Sequence, residues 1–202
     1  MKQSYGSVGT LMLMLHLFLF GWKALVTPLI SISLPFGMKM VSMAGMCILT
    51  IAVCCISSAR GTNLSLWPKQ HLLTAAAVIL VSLLTICSTA FCFTQGVLEW
   101  LLLLYASVVT PLFEELLFRG HIYAIQQHLH RNTFQIVVVN ASLFAVWHLG
   151  YIITPLWCGE WMALSKLPVG FLYGLLLAYI RSRTQSTACC ILTHGAMNSF
   201  FG

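Results

Sequence analysis

Acid is the scarcest chemistry in this chain. Among 202 residues there is no aspartate and only four glutamates, Glu99, Glu114, Glu115 and Glu160, against ten Lys and Arg. Charged residues make up 7% of the chain, 59% are hydrophobic, and the mean hydropathy is +0.92. So little charge excludes an ordinary soluble domain, in which roughly a quarter of residues are charged. Basic runs and basic–aromatic interleaving are missing too. The net charge of +6 therefore implies no nucleic-acid partner, and the lysines and arginines read as scattered topology determinants. There is no CxxC spacing, no internal repeat and no low-complexity segment. Cys47, Cys54, Cys55, Cys87, Cys92, Cys189 and Cys190 lie in apolar runs and read as small buried apolar side chains, with only Cys158 in a loop.

What the chain does have is seven apolar stretches, at roughly 8 to 22, 40 to 57, 72 to 93, 98 to 120, 134 to 150, 168 to 181 and 188 to 201. A span needs about 20 mostly apolar residues. The expected fold is all-α, a polytopic transmembrane helix bundle of about six to seven spans. It forms a single integral membrane domain over residues 1–202, with a motif-bearing core at about 98–202. The run from Val8 to Phe20 has no small-residue cleavage site after it, only Lys23 and Pro28, and reads as a retained first span. The sixth stretch, Leu167 to Ile180, is short, but Gly170 and Gly174 give it a small-residue face for close helix packing.

Alternating loops put Lys2, Arg60, Lys69, Arg119, Arg131, Arg181 and Arg183 on one side and Lys23, Lys39 and Lys166 on the other. The positive-inside rule then places the N-terminus in the cytoplasm. Short loops with few charges suit a bacterial inner membrane. Trp67, Trp100, Trp157 and Trp161 fall near span ends and read as interfacial anchors. His16, His71, His121, His128 and His130 are assigned to interfaces and loops, with His121, His128 and His130 beside Arg131 on a solvated face. Glu99 and Glu160 fall at loop edges.

Three polar constellations interrupt the apolar pattern. In TPLFEELLFRG, Glu115 and Arg119 are four apart and share a helical face, whereas Glu114 is rotated by about 100° from it. Pro111 removes a donor that would bond the carbonyl of Ser107 and can kink the span. Phe144 and His148 are four apart in the fifth stretch, as are His194 and Asn198 in the seventh. Alone, either histidine reads equally as a polar link between helices. Together, a carboxylate, two imidazoles and a carboxamide on three apolar helices supply a base, a partner to orient water and donors for an oxyanion.

EELLFR, FAVWH and HGAMN match, in order, the EExxxR, FxxxH and HxxxN signatures. The chain thereby resembles the CPBP family, the CAAX protease and bacteriocin-processing or Abi family of intramembrane endopeptidases. The resemblance covers about residues 114 to 198. It implies that Glu114 activates water, that His148 helps to hold it, and that His194 and Asn198 stabilise the oxyanion, with Glu115 and Arg119 as the supporting pair. The implied substrate is a membrane-associated protein or peptide, prenylated or not. The expected mechanism uses no cofactor. Zinc is the alternative, since two histidines and a glutamate leave an open coordination position, but HExxH is absent and Asn198 suits an oxyanion better than a metal. A non-catalytic membrane scaffold or bacteriocin-immunity protein is the alternative function. A transporter relay is disfavoured by the lack of inverted symmetry.

One mismatch of depth is built into these boundaries. Glu114 lies about 9 Å along its helix from Gly120, whereas His148 lies about 21 Å from residue 134, at 1.5 Å per residue. A kink at Pro111, a fourth helix continuing through Gln126, or a later start to the fifth would bring the motifs level.

Overall fold

Residues 5–26, 34–94, 96–129, 132–150, 152 and 159–201 are described by the computed structural model. Lys2, Pro28, His130, Arg131, Trp157 and Cys158 lie outside the described residues. The described chain is helical, as membrane crossing demands: a helix satisfies its backbone internally where no water can. The helices are α1 Tyr5–Val26, α2 Leu34–Ala59, α3 Leu72–Phe93, α4 Val97–Leu129, α5 Thr133–Trp147, α6 Lys166–Thr184 and α7 Thr187–Phe201. A 3₁₀ turn, Trp161–Ser165, leads into α6. Four segments are long and apolar enough to cross a membrane: Lys39–Ala59, Leu72–Cys92, Val97–Leu129 and Trp161–Thr184.

The seven expected stretches are these seven helices, with two boundaries corrected. The fourth does not stop at Gly120 but runs to Leu129, a 33-residue helix of about 50 Å. The sixth is not short, because the turn Trp161–Ser165 extends its span to 24 residues. Of the three ways to level the motifs, the longer fourth helix is the one the chain takes.

α4 is the axis of the bundle. Its inner face, Phe113, Leu117, Phe118 and Ile122, is fully buried. Around it pack Val8, Met12, Leu15 and Leu19 of α1, Met46, Leu49 and Val53 of α2, and Phe144 and Trp147 of α5. α4 is also not uniform. Two wider π turns, Tyr105–Val109 and Leu116–Ile122, bracket the ordinary helix Thr110–Glu115. The first closes with the Thr110 N–H donating to the Tyr105 carbonyl, just before Pro111, which has no N–H to give. The Ser107 carbonyl instead meets α7 at Gly195, where a Cβ would collide with it.

α5 and α6 approach through the two small residues singled out in the sequence. A Cβ on Gly174 would lie 2.8 Å from the Ala141 Cα, and one on Gly170 would lie 3.2 Å from the His148 Nδ1. At one end of the bundle the α2–α3 loop folds over the α6–α7 turn. There the Ser65 and Leu66 carbonyls accept from the Thr187 and Ala188 N–H groups, which satisfies donors at the start of α7. Leu64 of the same loop covers α4 at Gly120.

Side-chain exposure corrects other expectations. Among the described cysteines only Cys189 and Cys190 are buried; Cys54 is half-buried, and Cys47, Cys55, Cys87 and Cys92 face outward. Outward faces carry many large apolar side chains, such as Leu73 and Phe91 of α3. That is the pattern of surfaces met by hydrocarbon, where an apolar residue need not be inside the protein. His121 is buried rather than solvated, with Ser57 Oγ at 2.9 Å from its Nδ1. Arg181 is not a loop charge but a buried guanidinium over the Tyr123 ring. Trp67, Trp100, Trp161, His71, His128, Glu99 and Glu160 are exposed, as expected.

Backbone cannot yield as a side-chain tip can, so Gly174→Val is expected to destabilise the bundle by about 1–3 kcal/mol or more. Gly9→Ala, where nothing lies within 4 Å, is expected to leave stability unchanged or raised by up to ~1 kcal/mol through helix propensity. Thermal unfolding in detergent measures both; equal behaviour of the two variants contradicts the close α5–α6 contact.

Candidate active site in the bundle interior

Glu114 and Glu115 lie on the stretch of α4 between its two π turns, and both are buried. Glu115 accepts from Arg119 Nη1 at 3.0 Å, the pairing that the four-residue spacing implied. Arg119 is itself fully buried. Its Nη2 donates to the Gly174 carbonyl at 3.1 Å, and its guanidinium carbon stands 4.4 Å from the centre of the Phe144 ring. A guanidinium stays charged inside a protein, so these three partners from α4, α6 and α5 replace its water.

His194 of α7 joins the two glutamates. Its Nδ1 donates to Glu115 Oε1 at 2.9 Å, and its Nε2 lies 3.9 Å from Glu114 Oε2. The other Glu114 oxygen, Oε1, accepts from the indole Nε1–H of Trp147 at 3.2 Å. Two carboxylates thus face one guanidinium and one imidazole.

The remaining candidates border this core. His148 follows the last turn of α5, and its Nδ1 donates to the Phe144 carbonyl at 2.8 Å, since a carbonyl oxygen can only accept. A neutral ring held in that tautomer presents Nε2 as an acceptor. The Phe144 ring lies between the two histidines, 4.7 Å from His148 and 5.8 Å from His194. Asn198 donates from Nδ2 to the Ala106 carbonyl in the first π turn, at 2.9 Å. Glu114, Glu115, Arg119 and His194 are therefore in direct array, His148 reaches the array through Phe144, and Asn198 ties α7 to α4 one turn further along its helix.

Several participants carry no sequence signal. Trp147 occupies an unspecified position of FAVWH, and in an apolar run an indole reads as packing. It is fully buried among Phe113, Phe118 and His16. Asn140 donates to the Phe118 carbonyl and to Gln126 Oε1, both at 2.9 Å, and Arg181 Nε donates to the Arg119 carbonyl at 2.9 Å. Carbonyls of both π turns are thus gripped by side chains from other helices. Polar residues in the middle of predicted spans were the available signal for Asn140, since such residues are costly unless partnered.

Among the described residues, no group of three or more His, Cys, Asp or Glu side chains is placed to hold a metal. His194 Nδ1 and His148 Nδ1 are turned to a carboxylate and a carbonyl, and Glu115 Oε1 is shared by Arg119 and His194.

Comparison with known proteins gives one match. The family model described as type II CAAX prenyl endopeptidase Rce1-like matches residues 96–200. No curated protein and no solved structure matches the chain.

The asymmetry between the two glutamates is measurable as stability. Glu115→Leu strands a buried guanidinium and is expected to cost about 3–5 kcal/mol. Glu114→Gln keeps an oxygen to accept from Trp147 and is expected to cost about 1 kcal/mol or less. Thermal unfolding in detergent, or the yield of monodisperse protein, reads the difference; equal losses would refute the division of roles.

Proposed function

Because the chain belongs to the Rce1-like family of type II CAAX prenyl endopeptidases, we propose that Glu114 is the general base of a metal-free peptide-bond hydrolysis inside the membrane. Family membership together with the long apolar helices makes the chain an integral membrane protein of a CAAX-type protease family, acting on membrane proteins or peptides. The observation that carries the finer reading is the unequal treatment of the two carboxylates. Glu115 binds Arg119 and His194 through one oxygen, Oε1, while Glu114 is held at one oxygen by a neutral indole and faces His194 with the other.

A water beside Glu114 gives up a proton to it as the water oxygen bonds to the scissile carbonyl carbon. The carbonyl electrons move onto its oxygen. The second amide hydrogen of Asn198 stabilises that oxyanion, and so does His194 Nε2, donating from a ring that carries hydrogen on both nitrogens while Nδ1 is held by Glu115. His148, through Nε2, accepts a hydrogen bond from the attacking water. Collapse of the tetrahedral intermediate breaks the C–N bond, and Glu114 returns its proton to the departing amine. Fixed donors in a water-poor interior need little reorganisation during the reaction, which is where most of the rate gain arises. The absence of HExxH and the suitability of Asn198 for an oxyanion favour this reading over a metal-bound water. We further assign the bundle end carrying Arg60, Lys69 and Arg183 to the cytoplasm, of a bacterial inner membrane, in keeping with the positive-inside rule.

The test is cleavage of fluorogenic peptides, prenylated and unmodified, by purified wild type and Glu114→Gln, with and without a chelator. Loss of general-base catalysis is expected to lower kcat by about 10²–10⁴-fold, with no effect of the chelator on the wild type. Inhibition by the chelator would reinstate zinc. A wild type that cleaves none of the peptides would shift the reading to a non-catalytic scaffold or immunity protein.

A further inference from the structure

The matched segment begins at residue 96, yet a side chain from the first helix reaches the site. His16 lies on the inward stripe of α1 beside Met12, Leu15 and Leu19. Its Nε2 lies 2.9 Å from the carbonyl oxygen of Trp147, and its Nδ1 lies 3.1 Å from that of Met12 in its own helix. A carbonyl only accepts, so each contact needs a hydrogen on its nitrogen and a neutral ring makes one of the two; with the hydrogen on Nε2, at the shorter distance, His16 bonds α5. The same imidazole stands edge-on to the Trp147 indole, with ring centres 3.8 Å apart. Gly150, one turn further along the chain, makes the approach feasible, since a Cβ there would overlap the His16 ring.

We infer that His16 is a positioning residue for Glu114, acting through Trp147. The inference rests on the hydrolytic reading above only for its kinetic consequence. Trp147 has one polar hydrogen, and it goes to Glu114 Oε1. Where that hydrogen points is set by the backbone at residue 147 and by the walls around the ring. His16 governs both: it bonds the backbone carbonyl and forms one wall, while Phe113 and Phe118, with ring centres at 5.7 Å and 6.0 Å, form others. Phe113 and Phe118 are apolar walls; His16 is a wall that also offers a directional bond. Its removal lets the end of α5 shift and the indole turn, and Glu114 loses a fixed donor while its own helix is untouched. The polar site of the C-terminal helices is thereby completed by α1.

Two readouts test this. Wild type, His16→Leu and His16→Gln are labelled with ¹⁵N-tryptophan, and the Trp147 indole resonance among the six tryptophans is assigned by its loss in Trp147→Phe. Gln keeps an N–H donor near the Nε2 position; Leu has none. In His16→Leu the Trp147 indole proton is expected to move upfield as its bond to the carboxylate weakens, with the other assigned indoles unmoved, and in His16→Gln it is expected to stay near its wild-type position. With a cleaved peptide in hand, His16→Leu lowers kcat by about tenfold, the equivalent of one hydrogen bond, at an unchanged KM, and His16→Gln restores most of it. Should the Leu variant fail to fold, Gly150→Ala displaces the ring by collision and is read in the same way. An unmoved Trp147 resonance in the folded variant overturns the proposal, as does a Gln variant no better than Leu. The resonance decides the matter even if no peptide is cleaved, so failure of this inference and failure of the protease reading are told apart.

Discussion

A permanent positive charge fully out of water organises this protein. Arg119 cannot be neutralised by losing a proton, and an unpaired ion in such a place costs several kcal/mol. Each of its partners makes a demand in turn. Glu115 must be one helical turn away, and it is. The Gly174 carbonyl must come within hydrogen-bond reach, which brings α6 against α4. α6 can come so close to α5 only because residue 174 has no side chain to strike Ala141. The α5 so placed lays Phe144 against the guanidinium and delivers Trp147 to Glu114. The mutual positions of three helices follow from housing one charge.

The π turns of α4 are the second determinant. An ordinary helix uses each carbonyl once, along its own ladder. The wider turns offer carbonyls to other helices: Ala106 to Asn198, Phe118 to Asn140 and Arg119 to Arg181. Polar side chains from three helices thus hold α4 at both ends of the six residues that contain the glutamates. A rigid frame of this kind is what a site needs if its donors are to stay aimed without water.

The helices and the polar sets within each helix were legible in the sequence because both are local: hydropathy marks a span, and a four-residue spacing marks a shared face. Relations between helices were not. Hydropathy cannot tell a protein-facing cysteine from one facing hydrocarbon, so Cys87 and Cys92 read as buried when they face outward. The fourth span seemed to end at Gly120 because His121 and Gln126 look like loop residues. Both are buried, His121 against Ser57 and Gln126 against Asn140, partners distant in sequence. Arg181 misled in the same way: a cation near a span end suggests a loop, but a carbonyl of α4 and the Tyr123 ring receive it inside. The family signature pointed to six residues, and four of them form one contiguous array. Trp147 escaped notice, and His16 was assigned to an interface or loop when it lies within α1 against Trp147, because an indole or a lone imidazole in an apolar helix announces a role only once its neighbour is known.

Two adjacent glutamates are a peculiar way to build a site, since neighbours on a helix diverge by about 100° and cannot share a small partner. His194 resolves this, because an imidazole has two nitrogens that point in different directions. One meets Glu115 and the other looks toward Glu114, from a separate helix that can face both. The ion pair of Arg119 is made with Glu115. Had the second carboxylate stood one turn along the helix instead, it would have shared the face of Glu115 and competed for the same guanidinium, leaving two half-neutralised acids. Adjacency separates the roles: one acid is locked to a cation, and the other stays near that pair without being absorbed by it.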